Sequence, residues 1–127
     1  MIRGKLAPYR LQVLRSLFRE LKANAVRRNA AIIFLLVPAV EPADLSKLRM
    51  QSVRENLDSL NVPVIDLLDT YDDFLNRAPL AAYAGDVHPG VWGHALLARN
   101  LYRKLRAQPD AWAAVTGSGA SATVATP

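Results

Sequence analysis

Apolar side chains recur at helical spacing through the first part of the chain, where Leu11, Leu14, Leu17, Phe18, Leu21 and Ala25 share one stripe. The spacing predicts an amphipathic helix over residues 7–27 with that stripe turned inward. Ala31-Ile32-Ile33-Phe34-Leu35-Leu36-Val37 then runs apolar without alternation and is rich in β-branched and aromatic residues. Such a run reads as a strand buried on both faces, the kind found in parallel sheets covered by helices. Pro38 ends it, because proline has no N–H to give a ladder.

Beyond the Val40–Ala43 loop, Leu45, Leu48, Val53, Leu57 and Leu60 predict a second helix over residues 45–60, with Asp44 as its cap and Asn61 as its stop. Val62-Pro63-Val64-Ile65-Asp66-Leu67 predicts a second short strand, its proline at the start where a strand tolerates one. Residues 68–84 read as a short helix and a loop, and 85–90 as a turn. Val91, Ala95, Ala98, Leu101, Tyr102 and Leu105 predict a last helix over residues 91–107. Arg103, Lys104 and Arg106 sit near its C-terminus, where the helix dipole favours cations. The division expected is a domain over 1–109 and a disordered tail over 110–127, richest in Gly, Ser, Ala and Thr from Thr116 onward.

Alternating helices and strands argue for an α/β layer fold with a parallel sheet. Only two strands are evident, where sheets usually have about five or six. Two doubly buried strands leave open edges, so the sequence reads as part of a domain.

Composition adds exclusions. At 51% hydrophobic and 21% charged, the chain has enough apolar residues for a core, which excludes a disordered polymer. With no cysteine there is no disulfide, thiolate nucleophile or cysteine metal site, and the compartment stays open. The N-terminus has no apolar signal core, and no run reaches the roughly 20 residues of a membrane span. The net charge of +5 is concentrated: residues 1–28 hold eight Lys or Arg and one acid, Glu20. Arg15, Arg19 and Lys22 share a flank of the first helix, which reads as a solvated face or a polyanion site.

The strongest candidate chemistry is Asp86-Val87-His88-Pro89. A carboxylate beside a histidine can accept from Nδ1–H and fix the tautomer, leaving the other nitrogen as a general base. On spacing alone, Asp86 as a helix cap and His88 as a surface histidine remain open. His94 reads as structural. Asp66, Asp69, Asp72 and Asp73 cluster at a strand end, a solvated loop or a divalent-cation site, without the spacing of a calcium loop. Trp92 and Trp112 carry no partner signal. No glycine-rich phosphate loop occurs, and neither a cofactor nor a metal is expected.

The stretch from Gly85 through Ala98, Gly-Asp-Val-His-Pro-Gly-Val-Trp-Gly-His-Ala-Leu-Leu-Ala, resembles the last block of the SGNH/GDSL hydrolase family. Ile32–Pro38 and Val62–Leu67 resemble that family's later strands, and the resemblance covers about residues 7–107. It implies a flavodoxin-like, three-layer α/β/α sandwich with a Ser-His-Asp triad that hydrolyses or transfers acyl esters, in members that are often exported. His88 would be the general base and Asp86 its orienter, although the family's Asp usually stands three residues before the His, where this chain has Gly85.

The family's Gly-Asp-Ser block does not occur, nor do its oxyanion-hole Gly and Asn blocks. Ser16, Ser46, Ser52 and Ser59 fall in predicted helices, Ser118 and Ser121 in the tail, and Asn24 and Asn29 stand outside any such block. The resemblance therefore implies the C-terminal half of an esterase, inactive or nearly so alone. The alternatives are an interaction module whose sheet is completed by a partner chain or a copy of itself, and a small basic protein that binds polyanions.

Overall fold

The computed structural model describes residues 2–117. Among them the order is helix α1 (Ile2–Arg27), strand β1 (Phe34–Leu36), helix α2 (Ala43–Asp58), strand β2 (Val64–Asp66), a 3₁₀ turn (Ala78–Leu80), helix α3 (Val91–Arg106) and helix α4 (Pro109–Thr116). The fold is mixed α/β, with four helices and a small parallel two-stranded sheet among the described residues. Phe34 pairs with Val64, Leu35 with Ile65 and Leu36 with Asp66.

Successive strand side chains point to opposite faces, and each face carries its own core. On one, Leu36 joins Phe18 of α1, Leu57 of α2 and Leu60 just past its end, with Phe34 and Val64 packed against them. The Phe18 and Phe34 rings meet edge to face at 5.1 Å. On the other, Ile65 packs with Leu67, Tyr71, Leu80, Leu97 and Ala111.

Both loops that lead from a helix into a strand turn on asparagine. Asn29 and Asn61 each take a φ of 51° just past a helix end. Left-handed backbone there stops a helix, and asparagine tolerates it better than most residues. Asp44 is not a cap: α2 begins at Ala43 behind Pro42 with no side-chain cap, and Asp44 lies in its first turn, where the dipole favours a carboxylate.

The helix faces differ from the apolar stripes in the sequence. Among the α1 side chains described, those of residues 8–27, only Phe18 is buried, with Leu14 and Ala25 half-buried, while Leu11, Leu17 and Leu21 are exposed. Among the described residues the sheet ends at β1, and no described strand lies beneath the flank beyond it. In α3 the inward positions are Gly93, Leu97 and Asn100, and the expected Val91, Ala95, Ala98 and Tyr102 are exposed. Polar groups explain the shift. Asn100 Nδ2 donates to Asp69 at 3.0 Å and to Thr70 at 2.9 Å, and Lys104 Nζ donates to the Asp66 carbonyl at 2.6 Å. Hydropathy cannot score an inward face that ties down a loop by hydrogen bonds.

Part of the expected tail is helical. Residues 110–116 belong to α4, which has Pro109 in its first turn, Asp110 beside it and left-handed Gly117 past its end. Those are helix punctuation marks, and buried Ala111 anchors the helix. The rest of that tail, residues 118–127, lies outside the described residues. No helix among the described residues is long and apolar enough to cross a membrane.

Ile65 is 0% exposed and Leu48 is 69% exposed. In urea unfolding, Ile65→Ala is expected to lose about 2–5 kcal/mol and Leu48→Ala no more than about 0.5 kcal/mol. Equal losses would contradict this assignment of the core.

Candidate active site

The Asp86–His88 loop is built from short-range contacts. Asp86 N–H donates to the Tyr83 carbonyl at 3.1 Å, closing a turn whose third residue, Gly85, has a φ of 78°. A turn with positive φ at that position favours glycine. Asp86 Oδ1 then accepts from the backbone N–H of Val87 at 2.8 Å and of His88 at 3.2 Å. This side-chain-to-backbone turn is a habit of aspartate, and it swings the next ring back over the carboxylate. His88 Nδ1 lies 2.6 Å from the same Oδ1.

An ionised carboxylate only accepts, so Nδ1 carries the proton and the neutral ring keeps its lone pair on Nε2. The two side chains are unequally covered, with Asp86 8% exposed and His88 79% exposed. The hydrogen bond from His88 holds the Asp86 carboxyl below the usual carboxylate range; partial desolvation pushes it up, and the two backbone donors reinforce the lowering. The result is a shielded anion behind an imidazole whose second nitrogen is open, the arrangement a general base requires.

The loop is fixed to two neighbours. Ala82 N–H donates to the His88 carbonyl at 2.9 Å, Gly90 N–H to the Leu80 carbonyl at 2.7 Å, and Val40 N–H, just past the end of β1, to the Val87 carbonyl at 2.7 Å. Ala81 and Pro89 form an isolated antiparallel bridge. The strands are close because residue 90 has no side chain: a Cβ there would lie 2.6 Å from the Ala81 carbonyl oxygen. Beside Asp86 opens a cleft of about 500 Å³ lined by Val40, Pro42, Leu75, Ala78 and Val87, with Arg77 at its polar side. The Arg77 guanidinium holds the Glu41 carbonyl and lies 3.6 Å from Asp72. Buried Glu41 accepts from Ser46 Oγ at 2.9 Å and Arg49 at 2.7 Å.

Of the sequence candidates, only Asp86 and His88 come together. His94 is exposed on α3. Among the described residues no hydroxyl bonds His88, whose ring has Asp86 as its hydrogen-bond partner. Ser46 is committed to Glu41, and Ser59 Oγ donates to the Asn56 carbonyl. Asn24 accepts from Arg28 at 3.3 Å. Trp112 stacks edge to face on Tyr102 at 5.9 Å, and Trp92 is exposed.

The acidic cluster is paired with cations. Arg54 meets Asp66, Lys47 meets Asp72 at 2.8 Å and Lys104 meets Asp69 at 2.6 Å. Burial pushes Asp69 up, but Lys104 and Asn100 together hold it below the usual carboxylate range. Asp66, Asp69, Arg54, Lys47 and Lys104 line a separate groove of about 600 Å³ at the end of β2. No group of three or more His, Cys, Asp or Glu among the described residues is placed to hold a metal ion. The basic flank of α1 is partly spent on packing: Arg15 donates to Asn56 at 2.8 Å and Lys22 to the Leu60 carbonyl at 2.5 Å. The roles of Glu41, Arg77, Asn100 and Lys104 have no signal in sequence spacing, because their contacts to Ser46, Asp72, Asp69 and Asp66 span five or more positions.

No family model matches this chain, and neither the curated proteins nor the solved structures give a match.

A depressed carboxyl pKa makes the ionised pair persist into acid. Its contribution is present above the ordinary carboxylate pKa and is lost as pH falls through the lowered value. Carboxyl ¹³C NMR is expected to titrate Asp86 below the ordinary aspartate range, and His88→Ala is expected to move the midpoint upward. An unchanged midpoint in that variant would show that the ring does not hold the carboxylate.

Proposed function

We propose that this chain carries the acid–base half of an acyl-ester hydrolase site of the SGNH/GDSL type, and that its sheet is the C-terminal part of a three-layer α/β/α sandwich. The observation that carries the reading is the 2.6 Å contact between His88 Nδ1 and a shielded Asp86. Placement supports it. The loop bonds to Val40, just beyond the C-terminal end of β1, and open α/β sheets bind ligands outside the carboxyl ends of their strands.

In this reading Nε2 of His88 takes the proton of an attacking hydroxyl as that oxygen bonds to the acyl carbon. Asp86 stabilises the imidazolium that forms. The same proton then passes to the leaving alkoxide as its bond to the acyl carbon breaks. The hydroxyl and the oxyanion donors are not among the described residues. A site of this kind loses most of its rate without them, so the chain alone is expected to be feeble.

The test uses p-nitrophenyl acetate, an ester activated enough for an unaided imidazole. The chain is expected to hydrolyse it at a rate within about tenfold of free imidazole at equal concentration, far below the roughly 10²–10⁴ gain of a positioned base in a complete site. A serine-directed fluorophosphonate is expected to leave no adduct. His88→Ala should remove more of the rate than His94→Ala, because only the His88 ring has a carboxylate behind it; equal losses in the two variants would count against the reading. An unaltered rate in His88→Ala would overturn the proposal.

A further inference from the structure

We infer that the free edge of β1, together with the adjoining flank of α1, is a self-association surface that takes a second copy of this chain across a two-fold axis. Phe34 N–H bonds the Pro63 carbonyl and the Leu36 carbonyl accepts from Leu67, so the even-numbered residues turn their backbone groups toward β2. Alternate residues point the opposite way along a strand. The N–H and C=O of Leu35 therefore face outward, and no described residue is bonded to them.

Apolar surface flanks this edge. Leu35 and Val37 are 44% and 43% exposed on the face they share. Above the other face, Arg15 and Lys22 tie one side of α1 to α2 and to the turn that follows it. Successive helical residues turn by about 100°, which puts Val13, Leu17 and Leu21 on the side away from α2, beyond β1. All three are exposed.

The second copy is favoured over an unrelated strand because the edge complements itself. An antiparallel pairing centred on Leu35 makes Leu35 of each copy exchange N–H···O bonds with the other, and sets Ile33 opposite Val37. Every such pair is apolar. Edge strands that avoid pairing usually carry a charge, and residues 30–40 carry none. The same two-fold brings the two α1 flanks side by side over the joined sheet, in an isologous interface that closes after two copies. Val13, Leu17, Leu21, Leu35 and Val37 are 40% to 51% exposed; they carry roughly 400 Å² per copy, or about 800 Å² for the pair, the size of a weak, transient association.

Sedimentation equilibrium on the full chain, from about 1 to 100 µM (the range expected for so small an interface), is expected to show mass rising from 13.9 kDa toward twice that value. Leu35→Lys and Leu17→Glu change exposed positions on two different elements. Each is expected to weaken association at least about tenfold, with unchanged far-UV circular dichroism. Because each copy carries +5, added salt should strengthen the dimer by screening repulsion. A monomer at every concentration overturns the inference, and so does a dimer that both variants leave intact. Association that dissolves as salt rises also overturns it, since that marks a polyanion bridging basic helices.

Discussion

The parallel pairing of β1 with β2 is the constraint from which the rest of the molecule follows. Each strand is three residues long, and a two-stranded sheet alone is marginal in water. It persists because both faces are covered: Phe34, Leu36 and Val64 by α1 and α2, Ile65 by the cluster that includes Leu97 and Ala111. Remove either cover and the ladder has too little buried apolar surface to offset its ordering. The requirement also sets connectivity. Parallel neighbours need a crossover, and α2 provides it.

The C-terminal end of β2 shows how polar contacts finish what apolar ones begin. Asp66 meets Arg54 through its side chain and Lys104 through its carbonyl, while Asp69 and Thr70 are held by Asn100. Exposed pairs of this kind add about 0–1 kcal/mol each, so their main effect is orientation. They fix the path of the chain leaving β2 and leave the dry core to hold the fold.

How far the sequence can be read depends on the range of the interactions. Asp86 and His88 were legible because the contact is local: a carboxylate, two backbone N–H groups and a ring within three residues. The strands were legible because their apolar runs are continuous. The inward faces of α1 and α3 were not, because a helix face is defined by its neighbour. Leu17 belongs to an apolar stripe but has no described strand beneath it, whereas Lys104 is polar yet turns inward to a free carbonyl. Helix α4 was read as tail because alanine and threonine mask Pro109 and Gly117, the residues that punctuate it. The second groove and the Glu41–Arg77 contact have no local signature at all.

The close approach at Gly90 has a mechanical consequence. Hydrogen bonds from Ala82 and Gly90 stitch the His88 loop to residues 80–82, and a third from Val40 joins it to the end of β1. Three separate stretches of chain are therefore tied together by backbone hydrogen bonds beside the wall of the adjacent cleft. A molecule entering that cleft meets a wall already set relative to Nε2. Backbone that is already bonded in place needs less ordering when a molecule enters the cleft.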